Sequence, residues 1–337
     1  MHRLNTVPQA IHDLAARQEG LVAVRQCYAA GVDRRRIGRL VEHGVWRREG
    51  TRLIDTDPTP PATRRREDYF DHIRRRAAVK GLLVFPGSGA VGAAALALHG
   101  VSGLPRHIDP EVSFPRGVHR KGHDGVIVRQ YGNFRTQQYR GWRIAQIEHA
   151  LAQGLPGLTR DEGVAALSST LHTGQISHDG LATVRHLLRW RRGSSQVLGW
   201  TDLASRHDES PAESSARLSC IDNAVPPDRC QAEFWKDGKF LARCDFAWLL
   251  PDGRWLVVEI DGVGPHSTPE ALVRDAPRQN ALLATGRIVM LRFKPADNDR
   301  PGGIGAVVAA RLQALGRRPT SPDPPPDDVS PNGPVTL

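Results

Sequence analysis

The sequence predicts a multi-domain α/β protein with a helical N-terminal unit, an α+β middle region and a C-terminal mixed sheet with flanking helices. A chain of 337 residues is too long for one ordinary hydrophobic core. Helix-spaced apolar residues fill the first part of the chain, whereas two clear apolar strand patterns lie between residues 243 and 261. The hydrophobic content of 39% and the charged content of 24% are typical of a soluble globular protein.

The chain is strongly basic, with a net charge of +10 and a pI of about 10.1. Such a surplus suits a polyanion, and we expect DNA as the partner. No apolar stretch reaches the roughly 18 residues of a membrane span, and the first residues lack a signal-peptide core, so no membrane partner is expected. The cysteines form no CxxC pair, which indicates reduced thiols in a cytoplasmic, nucleoid-associated protein rather than a zinc site. They are Cys27, Cys220, Cys230 and Cys244. The oligomeric state stays unknown from the sequence.

Residues 1–54 predict a winged helix-turn-helix. Apolar residues at helical spacing begin at Val7, "VRQCYAAG" (24–31) forms a second short helix, and Asp33 caps a third helix over 34–44. Two apolar stretches in 45–54 form a hairpin, the wing. In this motif the last helix enters the major groove while basic side chains hold phosphates. A structural three-helix unit with a solvated basic face is the alternative. The candidate DNA-binding residues are Arg34, Arg35, Arg36 and Arg39 on the helix and Arg47, Arg48 and Arg52 on the wing.

Residues 55–81 predict a proline-marked linker followed by a basic helix, whose charges either touch DNA or form surface pairs such as Asp71–Arg75. Residues 82–207 predict an α+β scaffold. Its Gly87, Gly89 and Gly92 match GxGxxG, but the acidic residue and second parallel strand of a dinucleotide site are missing, so close helix packing is the better interpretation. Residues 317–337, rich in proline, aspartate and serine, predict a disordered tail.

Three carboxylates mark the C-terminal part. "RCDFAWLL" and "RWLVVEID" read as two strands around the turn Pro251-Asp252-Gly253, and a one-for-one count across it places Asp245 opposite Glu259. Asp261 lies two residues beyond Glu259 and shares its face. Acids in such an apolar strand need partners, and a hard cation, Mg²⁺ or Mn²⁺, removes their mutual repulsion. An exposed polar face on a half-buried hairpin is the alternative.

These residues resemble the Vsr-like branch of the PD-(D/E)XK nucleases. The resemblance rests on Asp245, "EIDGVGPH" (259–266), "RDAPRQNALL" (274–283) and "IVMLRF" (288–293), and it covers about residues 208–296. It implies a restriction-endonuclease-like mixed sheet over residues 208–300. The N-terminal part resembles the winged-helix domain of AbiEi-type antitoxins.

The resemblance also implies roles for individual residues. Asp245 and Glu259 would bind Mg²⁺, and Asp261 takes the place of the usual lysine, whose positive charge an aspartate cannot supply. His266 would act as general base or polarise the phosphate, with a surface-loop histidine as the alternative. Glu213 matches the acidic residue of the preceding helix, but Ser210 to Glu213 also has the spacing of a capping box. The supporting residues are Asp275, Arg278, Asn280 and Arg292.

A further departure from the family's pattern lies in the segment 274–283. Pro277 falls inside the helix that would carry Arg278, where a kink is expected. Arg292 either pairs with a site carboxylate or caps the sheet edge.

The function expected first is Mg²⁺-dependent cleavage of DNA. The rival is an antitoxin-like transcriptional regulator whose nuclease-like domain is inactive.

Overall fold

The computed structural model describes residues 7–57, 59, 68–189, 191–261, 279–318 and 334–337. In these ranges the α-helices are α1 Gln9–Arg17, α2 Val24–Ala29, α3 Arg34–Glu42, α4 Tyr69–Val84, α5 Gly92–Leu98, α6 Ile147–Gly154, α7 Arg160–His172, α8 His178–Leu188, α9 Ser194–Leu198, α10 Pro211–Asp222 and α11 Gly303–Ala314. The strands are β1 Leu21–Ala23, β2 Arg47–Arg48, β3 Leu53–Asp55, β4 Gly89–Ala90, β5 Glu111–Ser113, β6 Ile127–Arg129, β7 Thr136–Tyr139, β8 Trp142–Ala145, β9 Arg229–Lys236, β10 Lys239–Leu249, β11 Trp255–Ile260, β12 Ile288–Phe293 and β13 Val335–Thr336.

The mixture of helices and several sheets confirms the α/β class, while the three named domain types stay predictions. The chain divides into two compact units, one of residues 1–158 and 176–198 and the other of 159–175 and 199–337. The second unit therefore includes α7, which falls inside the segment expected to be the middle scaffold. None of the helices in the described ranges combines the length and apolarity needed to cross a membrane.

The first helices of the N-terminal unit enclose a small core with a three-stranded sheet of order β1-β3-β2. Asp33 begins α3 by accepting the Arg36 backbone N–H at 2.7 Å, which satisfies one of the orphan donors of the helix. The three helices and the hairpin lie where the sequence predicted them. Strand β1 was missed because three residues are too few to show a period of two. The core side chains include Ile11, Val22, Cys27, Ile37, Leu40, Trp46 and Ile54.

Helix α4 corrects the prediction of a basic linker helix, because its C-terminal half is buried from Ala78 to Val84 apart from Lys80. Its arginines are used inside the unit. Arg74 donates to the carbonyls of Leu104 and Pro105 at 2.7 Å each and pairs with Asp71, which was expected to pair with Arg75. The guanidinium groups of α4 therefore fasten neighbouring segments to the helix.

A five-stranded mixed sheet of order β6-β5-β4-β8-β7 forms the rest of the N-terminal unit. The GxGxxG segment runs through β4 into α5, and the next strand, β5, pairs antiparallel with β4. A Cβ atom at Gly92 would lie 2.7 Å from Glu111 Oε2 and 3.7 Å from the Gly154 Cα atom. The glycine thus permits close packing, as the sequence indicated, and the parallel βαβ arrangement of a dinucleotide site does not follow β4.

The C-terminal unit is built on a five-stranded sheet of order β12-β11-β10-β9-β13. Strands β11 and β12 are parallel, and the β9–β10 and β10–β11 pairs are antiparallel. Helices α10 and α11 cover one face through Ala216, Ile304 and Val308, which pack on Phe246 and Val258. A second apolar cluster, which covers the other face, includes Phe234, Cys244, Ala247, Val257, Leu282 and Val335.

The end of the chain corrects part of the disordered-tail prediction. Val335 and Thr336 form β13, which pairs parallel with Phe234 and Trp235 of β9. Arg317 is also held, since its guanidinium contacts both carboxylate oxygens of Asp228 and donates to the Leu249 carbonyl at 2.8 Å. Residues 319–333 lie outside the described residues.

Candidate functional site

Strands β10 and β11 stop pairing where the candidate site begins. Around the turn, Leu250 N–H donates to the Arg254 carbonyl at 2.8 Å, and the pairs then run one for one to Phe246–Val258. The count across Pro251-Asp252-Gly253 is therefore confirmed to that pair. Two residues beyond Val258, the Ile260 N–H donates to Asp245 Oδ2 at 2.7 Å rather than to a backbone carbonyl. The Asp245 carboxylate thus replaces a rung of the ladder at the point where the strands separate.

Gln231 of β9 joins Asp245 to Glu213 of α10. Its side-chain amide donates to Glu213 Oε2 at 2.9 Å and to Asp245 Oδ1 at 3.4 Å. Gln231 has a positive φ of 52°, an uncommon conformation for a residue other than glycine. The strained strand position and the shared amide bring two acids together on the side of the sheet that α10 covers.

Burial sets the protonation of this acid pair. Burial, followed by the charge of Asp245, raises the pKa of Glu213 from 4.5 to about 7. Burial also raises the pKa of Asp245, although the Ile260 N–H and Gln231 lower it in part. The pair is therefore short of positive charge, which is the condition in which a hard cation binds well.

Glu213 forms the capping box that the sequence offered as one of two alternatives, and its role as the acidic residue of the family's preceding helix stays a prediction. The capping interaction is present, because Ser210 Oγ donates to Glu213 Oε1 at 2.7 Å and accepts the Glu213 N–H at 3.2 Å. Glu213 Oε2 also accepts the Glu209 N–H at 3.0 Å, beside the Gln231 contact. The first turn of α10 therefore fixes the carboxylate that faces Asp245.

The other two carboxylates, Glu259 and Asp261, meet Arg292. In the parallel pair of β11 and β12, Arg292 lies beside Glu259, and its Nε is 3.6 Å from Glu259 Oε2. The same Nε is 3.3 Å from Asp261 Oδ2, and Nη2 also contacts the Asp261 carboxylate. Of the two alternatives for Arg292, pairing with site carboxylates is the one observed.

The two expected magnesium ligands have contacts in different directions. Asp245 contacts Gln231 and the Ile260 N–H, whereas Glu259 Oε1 lies 3.9 Å from Cys244 Sγ, a side chain of the core on the opposite face. The single patch of three carboxylates expected from the hairpin is thus two polar groups, Glu213 with Asp245 and Glu259 with Asp261. Among the described residues, no group of three or more His, Cys, Asp or Glu side chains could hold a metal ion.

A basic cavity of about 450 Å³ adjoins the acid pair at Gln231. Arg243, one of its lining residues, is tied to Glu209 at 2.8 Å, and the guanidinium of Arg229 lies 5.6 Å from the Trp255 ring centroid. Arginine and histidine outnumber acids around it, so the cavity suits a phosphate-bearing ligand. Its lining residues are His172, Arg206, His207, Glu209, Arg229, Gln231, Ala232, Glu233 and Arg243.

Three contributors to the site were missed in the sequence, namely Gln231, Cys244 and Gln279. Gln279 Oε1 accepts a hydrogen bond from Arg292 Nη1 at 3.2 Å. In the observed strand register Gln231 lies one step on from the Cys244–Ala232 pair and therefore opposite Asp245. Asn280 is exposed. His266, Asp275 and Arg278 lie outside the described residues.

The predicted DNA-binding arginines differ in their surroundings. Arg34, Arg35, Arg48 and Arg52 are exposed, while Arg36 and Arg39 are half-buried. Arg39 Nε is buried without a hydrogen-bond partner in the described part of the chain.

Arg47 is held by the protein itself. It pairs with the fully buried Asp55, which also accepts an ion pair from Arg76 of α4 at 2.9 Å. Arg47 thus fixes the hairpin to the unit, whereas Arg35 and Arg48 present their charges to solvent.

Comparisons with known proteins give relatives without a stated activity. No family model matches the chain. It is similar to uncharacterized protein Rv2248 of Mycobacterium tuberculosis strain ATCC 25618 / H37Rv and to uncharacterized protein MT2308 of strain CDC 1551 / Oshkosh. Each is 27% identical over 196 residues, which cover 58% of this chain and 71% of the relative.

Proposed function

We propose that the protein is a Mg²⁺- or Mn²⁺-dependent DNA endonuclease that binds its substrate through an N-terminal winged helix. The observation that carries the proposal is the Glu213–Gln231–Asp245 arrangement at the end of the β10–β11 pairing. A buried acid beside a half-buried one, both with raised pKa values, is costly in a structural role, since apolar residues would pack there at lower cost. A cation site accounts for their presence.

Asp245 and Glu213 would hold the cation, because Gln231 joins their carboxylates, whereas Glu259 contacts Cys244 of the core on the opposite face. Mg²⁺ needs only one or two protein carboxylates, because water supplies its other ligands. When bound, the cation would lower the pKa of a coordinated water and stabilise the charge that develops on the phosphodiester.

The chain's own residues supply orientation and charge. The Ile260 N–H fixes one oxygen of Asp245, and Gln231 fixes the other. Arg292 supplies a positive charge between Glu259 and Asp261, in the part of the site where the resembling nucleases carry lysine. The basic cavity beside Gln231 would take a backbone phosphate of the DNA.

The rival function is a transcriptional regulator of the antitoxin kind with an inactive nuclease-like domain. A specific observation favours it. Arg292 already neutralises Asp261 and contacts Glu259, so these carboxylates have less need of a cation. In that case the winged helix binds an operator, and the acid pair has a structural role only.

A cleavage assay separates the two functions. Supercoiled, linear and mismatched DNA are each incubated with the purified protein in Mg²⁺, Mn²⁺ or EDTA, and products are resolved by electrophoresis. The nuclease proposal expects metal-dependent nicking or cutting of at least one substrate. No cleavage in any metal, together with tight binding to duplex DNA, would support the regulator and contradict the nuclease proposal.

A further inference from the structure

The five-stranded sheet of the N-terminal unit borders a second cavity of about 450 Å³, whose lining residues have no part in the proposed cleavage. Strands β4, β5, β7 and β8 contribute to its wall, as do the first turn of α6 and the loop segments near residues 115 and 133. None of its lining residues is acidic. They are Gly89, Ser113, Pro115, Arg116, Gly132, Asn133, Phe134, Arg135, Thr136, Arg143 and His149.

Three arginines line this cavity, namely Arg116, Arg135 and Arg143. Arg143 Nη2 donates to the Gly87 carbonyl, which fixes its orientation. In the described ranges neither Arg116 nor Arg135 forms an ion pair. Cations placed together without acids repel one another, so the arrangement is stabilised when an anion enters.

His149 adds an unsatisfied polar atom to the same wall. Its Nδ1 is buried and has no hydrogen-bond partner among the described residues. Burial lowers the pKa of His149, and the nearby charges of Arg191 and Arg135 lower it further. His149 lies in the first turn of α6, where the N-cap residue Gln146 makes no side-chain capping bond. Both features favour a ligand that brings negative charge or hydrogen-bonding oxygens.

An aromatic side chain forms the other part of the wall. Phe134 lines the cavity, and its ring centroid lies 6.4 Å from that of Tyr131 in an edge-on arrangement. Tyr131 in turn carries the Arg191 guanidinium at 4.8 Å from its centroid. A supported aromatic ring beside several arginines presents a flat surface for a base and charged donors for phosphates.

We propose that this cavity is a nucleotide-binding site. Arginine forks hold the phosphates through paired N–H donors, and the Phe134 ring contacts the base. The volume lies within the roughly 300–1,000 Å³ usual for small-molecule sites and suits one nucleotide rather than a duplex. The site is independent of the proposed cleavage, since it uses other residues in another unit.

Calorimetric titration of the full chain tests the site with ATP, ADP, AMP and inorganic tripolyphosphate. We expect saturable binding of at least one nucleotide, weakened at least about tenfold in Arg135→Ala and in Arg116→Ala. Phe134→Ala should weaken nucleotide binding while leaving tripolyphosphate binding nearly unchanged. The exposed Arg311 gives a matched control, because Arg311→Ala removes one arginine far along the chain and should bind as the wild type does.

Three outcomes would overturn the proposal. The first is no saturable binding of any nucleotide by the wild type. The second is equal affinity for tripolyphosphate and for ATP, which would mean that no base is recognised. The third is unchanged nucleotide binding in Arg135→Ala with a loss of duplex DNA binding, which would assign these arginines to DNA. Far-ultraviolet circular dichroism and thermal melting test whether each variant is folded. If Arg135→Ala is unfolded, Arg135→Gln replaces it in the titration.

Discussion

The Asp245 carboxylate accepts the Ile260 backbone N–H at 2.7 Å, at the place where the β10–β11 ladder ends. A side chain there does the work of a backbone carbonyl, so the acid is oriented before any ligand arrives. The other oxygen accepts a hydrogen bond from the Gln231 side-chain amide, which also donates to Glu213. This orientation is the basis of the following expectations about chemistry and stability.

Asp245→Asn should abolish most metal-dependent cleavage while DNA binding stays nearly unchanged. The amide keeps the size of the side chain but removes one negative charge from the proposed cation site. Cleavage of one DNA substrate in Mg²⁺ or Mn²⁺ is measured for both proteins. Asp237→Asn, a carboxylate-to-amide change in the exposed β9–β10 turn, is the control. Equal cleavage by wild type and Asp245→Asn would contradict the site assignment.

His266→Ala should slow the same reaction by roughly 10²–10⁴-fold if His266 is the general base. The histidine follows the Glu259–Asp261 segment closely in sequence, which is the motive for the test. Single-turnover rates in excess enzyme separate the chemical step from DNA binding. An unchanged rate would leave His266 as a surface-loop residue.

Replacing Arg35 and Arg39 by alanine should weaken duplex DNA binding and reduce its salt dependence. Each lost phosphate contact lowers the slope of log K against log salt concentration by about one unit. Arg35 is exposed on α3, so its loss should leave the fold intact. Fluorescence anisotropy at several salt concentrations gives the slope. Binding as tight as that of the whole chain by a protein lacking residues 1–54 would refute the assignment to the winged helix.

The raised pKa of Glu213 predicts a pH-dependent stability. Between its ordinary value of 4.5 and its folded value of about 7, the folded protein binds more protons than the unfolded chain. The stability due to this group is complete below pH 4.5 and is lost as the pH rises through about 7. Glu213→Gln mimics the protonated acid, so it should exceed the wild type by on the order of 1–3 kcal/mol above pH 7 and match it at low pH.

Urea unfolding in EDTA at several pH values checks this expectation, because EDTA removes cations that would favour the ionised acid. Glu233→Gln changes an exposed glutamate in the same way and should show no such difference. A constant stability gap between Glu213→Gln and wild type at every pH would contradict it.

Helix packing gives an expectation about the fold alone. A Cβ atom at Gly305 would lie 2.0 Å from the Ser219 carbonyl oxygen, so α10 and α11 must separate in Gly305→Ala. The variant should lose about 1–3 kcal/mol of stability or more. A Cβ atom at Gly38, inside α3, would have no neighbour within 4 Å. Gly38→Ala should therefore raise the free energy of unfolding by roughly 0.5–1 kcal/mol. Thermal melting of both variants measures the opposite signs.

The hairpin register could be predicted from the sequence because the turn chemistry is local. Pro251-Asp252-Gly253 fixes the loop, Gly253 adopts a φ of 81°, and strand periodicity then places each partner as far as Phe246 and Val258. The same locality explains why α1 to α3 and their hairpin were found.

Gln231 could not be found in this way. The register of β9 and β10 shifts between Phe240 and Ala242, so a count from the Asp237-Gly238 turn puts a different residue opposite Asp245. The sequence indicated Arg292 as a site residue but not its partners, because these depend on the parallel pairing of β11 with β12, which lies further along the chain. The buried use of the α4 arginines was likewise invisible, because charge in a sequence shows no burial.

Strand β13 has a consequence for any change at the end of the chain. Without Val335 and Thr336, the outer N–H and C=O groups of Phe234 and Trp235 would be left open to pairing with another molecule. Strand β13 therefore covers the edge of the sheet and prevents edge-to-edge aggregation at β9. A bulky purification tag placed directly after Leu337 would lie next to β13 and disturb its pairing with β9, so a tag is better attached elsewhere.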